Sequence, residues 1–134
     1  MYKILIVEDD ETIAGGLKNI GKMELSGRVY DRFKDVMGKF VDFDPQLVLL
    51  DIVLPFFNGF HWCQEIRKIS KVPIIFLSSA NDNMNIVMAM NMGGDEFIEK
   101  PFDLNVVTAK VQAVLRRTYE FRGTQISWSG MVRS

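Results

Sequence analysis

Short apolar runs that each stop at a polar or charged residue recur along this chain, and they restrict what it can fold into. Lys3-Ile4-Leu5-Ile6-Val7 leads to Glu8, Asp9 and Asp10. Leu47-Val48-Leu49-Leu50 leads to Asp51, Val72-Pro73-Ile74-Ile75-Phe76-Leu77 leads to Ser78 and Ser79, and a last short run precedes Lys100. Runs of this length suit strands buried on both faces of a parallel sheet. Open α/β sheets collect ligands at the carboxyl ends of their strands. The pattern therefore brings the carboxylates of Glu8, Asp9 and Asp51, the Ser78 hydroxyl and the Lys100 amine to one edge of one sheet. Clustered acids require a cation, and hard carboxylate oxygens with few other ligands select Mg²⁺.

The segments between the runs carry helical spacing. Helix one is predicted over 11–25, with Ile13, Leu17, Ile20 and Met23 as its buried stripe, although Gly15-Gly16 weakens it. Arg28-Val29-Tyr30 is a short second strand. Phe33, Val36, Met37, Phe40 and Val41 mark helix two, which Asp44-Pro45 breaks before strand three at about 47–50. Asn58-Gly59 caps helix three (about 60–69), and strand four covers 73–77. Helix four spans about 83–92 and stops at Gly93-Gly94. Glu96-Phe97-Ile98 is strand five, and Asp103 caps helix five (about 104–118). Five strands alternating with five helices predict an α/β fold, a doubly wound five-stranded parallel sheet of flavodoxin-like order 2-1-3-4-5.

At 134 residues the chain supports one domain and a short tail, and its 48% hydrophobic content is enough for a core. The net charge of −1, with no basic face, argues against DNA binding by this segment. A single cysteine, Cys63, excludes an internal disulfide and fits a reducing cytoplasm. No signal-peptide pattern precedes the first strand, and the apolar stretches fall well short of the roughly 20 residues of a membrane span. A cytoplasmic protein without membrane contact is expected. Residues 122–134 change character, rich in Gly, Ser and Thr, and read as a linker or tail.

Four stretches in order carry a resemblance: Ile4-Leu5-Ile6-Val7-Glu8-Asp9-Asp10, Leu49-Leu50-Asp51-Ile52-Val53-Leu54-Pro55 with Asn58-Gly59, Ser78-Ser79-Ala80, and Gly94-Asp95-Glu96-Phe97-Ile98-Glu99-Lys100-Pro101-Phe102. With them the chain resembles the receiver domain of bacterial two-component response regulators, over about residues 2–121. The resemblance implies a CheY-like fold and Asp51 as the nucleophile that takes a phosphoryl group from a sensor histidine kinase. It implies that Asp9 ligates Mg²⁺ directly, that Glu8 acts mainly through water, and that Asp51 and the backbone carbonyl of Val53 complete the set. Lys100, before a cis proline, and Ser78 would each meet a phosphoryl oxygen. Ser78 and Phe97 would form the switch, with Phe97 replacing the family's frequent tyrosine and responding by packing alone.

The OmpR/PhoB-type subfamily implies phosphorylation-dependent homodimers through helix four, strand five and helix five. Asp95 and Glu96 would meet Arg117 and Lys110 of a second copy, and Ile86 and Val106 would replace an ion pair by an apolar contact. Met84, Met88 and Met92 share one row of helix four, either as core or as an adaptable patch. Gly59-Phe60-His61-Trp62-Cys63, Met90-Asn91-Met92-Gly93 and Leu115-Arg116-Arg117-Thr118-Tyr119-Glu120-Phe121 resemble regulators of bacitracin and peptide-antibiotic resistance. In those, a winged-helix DNA-binding domain, absent here, follows the receiver. Two other classes share parts of this pattern. A Mg²⁺-dependent aspartyl phosphohydrolase wants a second acid two residues past its nucleophile, where Val53 stands. A nucleotide-binding flavodoxin-like domain wants a glycine- or hydroxyl-rich first turn, where Glu8-Asp9-Asp10-Glu11 stand. His61 reads as a surface residue and Cys63 as small core.

Overall fold

Strands that are apolar up to their last residue must be covered on both faces, and the fold is organised around two of them. In the computed structural model, which describes residues 2–17, 24–25, 35–54, 56–78 and 83–121, β3 (Leu47–Asp51) and β4 (Ile74–Ser78) are buried at all five positions each. They are flanked by β1 (Lys3–Val7), β2 (Glu24–Leu25) and β5 (Glu96–Glu99) in a parallel sheet of order β2-β1-β3-β4-β5. The register sets Val7 beside Leu50, Asp51 beside Leu77 and Ser78 beside Glu99. The polar residues that follow each strand therefore emerge along one edge.

The sheet divides the core in two. On one face Leu5, Val7, Val48, Leu50, Ile74 and Phe76 pack against α2 (Val36–Phe43), α3 (Gly59–Arg67) and Ala89 of α4 (Asn83–Asn91). On the other, Ile4, Ile6, Leu47, Leu49, Ile75 and Leu77 meet Leu17 of α1 (Glu11–Leu17) and Val107, Val111, Val114 and Leu115 of α5 (Leu104–Leu115). Alternate strand residues go to opposite faces, so one unbroken apolar run supplies both cores.

The helix starts match their sequence signals. Asp10 Oδ1 accepts from the Thr12 and Ile13 amides at 2.9 and 3.2 Å. Asn58 Oδ1 accepts from His61 N at 2.9 Å, and Asp103 Oδ1 from Asn105 N at 2.7 Å. These side chains satisfy amides that the first helical turn leaves without partners.

Several boundaries differ from the sequence expectation. Leu25, assigned there to the end of helix one, sits in β2 and pairs with Ile4, as Glu24 does with Lys3. A two-residue edge strand that starts with a glutamate has no apolar run to reveal it. Arg28-Val29-Tyr30, the expected second strand, lies outside the described residues, as do Ile20, Met23, Phe33, Ser79, Ala80 and the tail 122–134. Strand four starts at Ile74 because Pro73 has no N–H for the ladder; its carbonyl accepts from Val48 N at 3.0 Å. Helix five ends its regular turns at Leu115, and Arg116–Phe121 widen into a π-helical stretch. Among the described residues no helix is long and apolar enough to cross a membrane.

Candidate functional site

The carboxyl edge of the sheet gathers the acids at the ends of β1 and β3. Glu8 is fully buried and Asp51 is 3% exposed, whereas Asp9 and Asp10 face solvent. Carboxylate oxygens of Glu8, Asp9 and Asp51 lie within 4.8 Å of one another. Lys100, which follows β5 and precedes a cis Pro101, reaches across to them. Its Nζ is 2.7 Å from Glu8 Oε1 and 3.2 Å from Asp51 Oδ2. The second Glu8 oxygen accepts from Asp10 N at 3.0 Å, and Asp51 Oδ1 accepts weakly from Val53 N at 3.4 Å.

One ammonium thus faces two buried carboxylates with a third beside them. Burial first, and then the charge of Glu8, push the Asp51 carboxyl from its ordinary 3.8 up to about 7; the Lys100 charge only partly opposes this. For Lys100 burial works against the charged form, but Glu8 and Asp51 outweigh it and raise its pKa. A set of hard oxygens with too little positive charge is the donor chemistry of a small divalent cation. Glu8, Asp9 and Asp51 fit Mg²⁺ on that ground.

Local backbone packing holds Asp51 in place. Ile52 N donates to Leu77 O at 3.0 Å, and Gly59 N donates to Ile52 O at 2.7 Å. The first turn of α3 is thereby drawn against the end of β3. A Cβ on Gly59 would collide with the Asp51 carbonyl and sit 2.9 Å from Ile52 Cα, so only glycine permits this approach. Ser78 is fully buried at the end of β4, and its carbonyl accepts from Lys100 N at 2.7 Å. The structure therefore brings Glu8, Asp9, Asp51, Ser78 and Lys100 to one hollow. Val53 stands at its rim, 63% exposed.

The remaining sequence-selected residues form a second locus. Ile86, Glu96, Phe97, Val106 and Lys110 line an open cleft of about 480 Å³ together with Pro101 and Phe102. Phe97 is half-buried against the α2–α3 core. Ile86 and Val106 are 37% and 47% exposed, and Arg117 is exposed. Asp95 and Glu96 already have partners within the chain. Arg67 Nη2 meets Asp95 Oδ2 at 3.0 Å, and Lys110 Nζ lies 3.6 Å from Glu96 Oε1. Met88 is part-exposed on α4 and Met92 packs on the core; the Met84 side chain lies outside the described ones.

Two features were missed in the sequence. Arg67 donates to the carbonyls of Gly93 (2.7 Å) and Val72 (2.6 Å) as well as to Asp95, whose same oxygen accepts from Ile74 N at 2.8 Å. An arginine in the last turn of α3 carries no sequence mark of that task. The loop before α3 also exposes Phe56 and Phe57, 64% and 46%. His61, read as a bare surface residue, stacks on Phe57 at 4.2 Å.

Comparison with known proteins agrees with this arrangement. Residues 4–112 match the response regulator receiver domain family. The chain is 52% identical over 120 residues to the uncharacterised transcriptional regulatory protein YvcP of Bacillus subtilis, covering 89% of this chain and 51% of that one. It is 44% identical over 138 residues to the sensory transduction protein BceR of Halalkalibacterium halodurans, covering 97% and 58%. It thus spans between half and three-fifths of these curated relatives. Among solved structures, the N-terminal domain of the nisin resistance regulator NsrR, a lantibiotic response regulator, superposes with a TM-score of 0.78 at 51% identity, covering 87% of this chain and 99% of that one. A strand order with its polar ends converging on a lysine-bridged acid cluster, together with these matches, shows that the chain belongs to the response regulator receiver family.

Proposed function

We propose that Asp51 accepts a phosphoryl group from the phosphohistidine of a sensor kinase and that the acyl phosphate so formed controls the α4-β5-α5 face. The observation that carries this reading is the Lys100 ammonium shared by two buried carboxylates beside Asp9. An Asp51 oxygen attacks phosphorus, the nitrogen–phosphorus bond breaks, and its electron pair stays on the imidazole, which then takes up a proton. Glu8, Asp9, Asp51 and the Val53 carbonyl are the residues that would hold Mg²⁺, which supplies the positive charge that offsets repulsion between carboxylate and phosphoryl oxygens. Lys100 pairs with one phosphoryl oxygen and the Ser78 hydroxyl donates to another. Ser78, turning toward the new acceptor, and Phe97, repacking behind it, pass the change to the cleft lined by Ile86 and Val106.

A homodimer through that face follows, with Asp95, Glu96, Lys110 and Arg117 at its polar margin. Because Asp95 and Glu96 are paired within the chain, apolar burial carries most of the association, and it varies little with salt. In a longer cytoplasmic protein, residues 122–134 link this receiver (2–121) to a DNA-binding domain that regulates transcription. Incubation with acetyl phosphate and Mg²⁺ tests the central step. The intact chain gains the mass of one phosphoryl group, Asp51→Ala gains none, and a beryllofluoride adduct sediments as a dimer. Rapid turnover of phosphate esters without a stable adduct would indicate a phosphohydrolase instead.

A further inference from the structure

Sulfur-bearing side chains are the usual sites of oxidation in proteins, and this fold hides its thiol while exposing thioethers. Cys63 is fully buried in the core beneath α3, and its Sγ donates to Met92 O at 3.2 Å. Helix α4 does the reverse. Among its described side chains only Ala89 is buried, whereas Met88 and Met90 are 37% and 44% exposed, beside exposed Ile86 and Val87.

The two exposed methionines lie on opposite flanks of the helix. Helical spacing puts Met88 in one row with Met92, which packs on the core that α3 covers and whose carbonyl takes the Cys63 thiol. Met90 instead follows Ile86 at i, i+4, and Ile86 lines the cleft with Phe97, Phe102 and Val106. Met90 therefore extends the apolar wall of that cleft by one turn. Resting on the homodimer proposed above, we infer that Met90 is an oxidation site through which peroxides weaken pairing of the α4-β5-α5 face. A thioether has no strong polar group and is readily buried against a second copy. In its oxidation the sulfur lone pair bonds to one peroxide oxygen, the O–O bond breaks and hydroxide leaves. The hydroxide takes the proton of the new S–OH group, giving sulfoxide and water. The sulfur loses two electrons and the peroxide gains them. The sulfoxide oxygen is a strong acceptor, and burying it without a donor is unfavourable. Lys110, the lysine that lines the cleft, already pairs with Glu96 at 3.6 Å. In the monomer water satisfies the oxygen; in the dimer the apolar contact does not.

Hydrogen peroxide is the probe, and Met88 serves as the internal control. Peptide mapping of the intact chain should show Met88 and Met90 gaining one oxygen at rates within about threefold of each other, with Cys63 unmodified. In the beryllofluoride adduct, Met90 should react about fivefold or more slowly relative to Met88, because the second copy covers it. Sedimentation of each adduct before and after peroxide gives the change in its dimer dissociation constant. The rise should be about tenfold or more in the intact chain and in Met88→Leu, and absent in Met90→Leu, whose side chain is close in volume but has no sulfur. Methionine sulfoxide reductases should reverse it. Met90→Gln, a polar stand-in for the sulfoxide, should show the raised constant without peroxide. Undiminished pairing of the oxidised intact chain or of Met90→Gln, an equal rise in Met90→Leu, or no slowing at Met90 in the adduct would overturn this role. If the untreated intact adduct stays monomeric, the homodimer falls, and redox control of it falls too.

Discussion

The two edges of the sheet are built on opposite electrostatic plans. At the carboxyl edge Glu8 and Asp51 are buried side by side with one ammonium between them, and the Asp51 carboxyl is displaced upward as a result. At the amino edge several charged and polar groups have a complement. Asp95 holds Arg67 and the Ile74 amide, Arg67 holds the Gly93, Val72 and Ser70 carbonyls besides, Gln46 Oε1 accepts from Lys3 N at 2.6 Å, and Gln46 O accepts from the Tyr119 hydroxyl at 2.6 Å. One edge carries unfavourable charge that a divalent cation would relieve; the other is largely paired and frames the domain. Under the proposed function, stability and chemistry fall to different ends of the same strands.

Substitutions should separate the two edges. The largest effect is expected at Gly59, where a methyl group collides with the Asp51 backbone. Gly59→Ala should lower stability by about 3 kcal/mol in urea denaturation and slow phosphorylation by acetyl phosphate. A variant of unchanged stability would show that α3 can withdraw from the end of β3. At the amino edge, Arg67→Ala leaves the Gly93 and Val72 carbonyls and the Asp95 carboxylate short of a donor. A loss of roughly 2 kcal/mol is expected, with little change in the phosphorylation rate.

Asp51→Asn should act in the other direction. A carboxyl raised from 3.8 to about 7 contributes stability that is fully present below its unfolded value and is lost as pH rises through 7. The metal-free variant should therefore exceed the parent by roughly 1–2 kcal/mol at pH 8 and by little at pH 4. Parallel pH profiles for the two proteins would remove the electrostatic contrast between the edges. The smallest effect belongs to Tyr119→Phe, which loses one part-exposed hydrogen bond. About 0.5–1 kcal/mol is expected, with no change in labelling of Asp51.

How much of this was legible in the sequence follows from the same physics. A strand buried on both faces must be apolar throughout, so β1, β3 and β4 and the residues at their ends were readable, and the hollow with them. β2 was not, because an edge strand of two residues needs no apolar pattern. The Arg67 clamp was not, because its acceptors are backbone carbonyls, which every residue offers. Asp95 was read only as a dimer contact, since its partners lie 21 and 28 positions earlier in the chain. Phe56 and Phe57 were quoted by neither motif nor periodicity; an aromatic in a loop that leads to an Asn-Gly cap is the signal that would have marked them.

Lys100 spans from the end of the outermost strand to the ends of the first and third. Glu8 and any anion built on Asp51 must divide that single cation between them. Whatever draws it toward Asp51 slackens its hold on Glu8. The lysine is a tether between two carboxylates, and a change of charge at either one loosens or tightens its hold on the other.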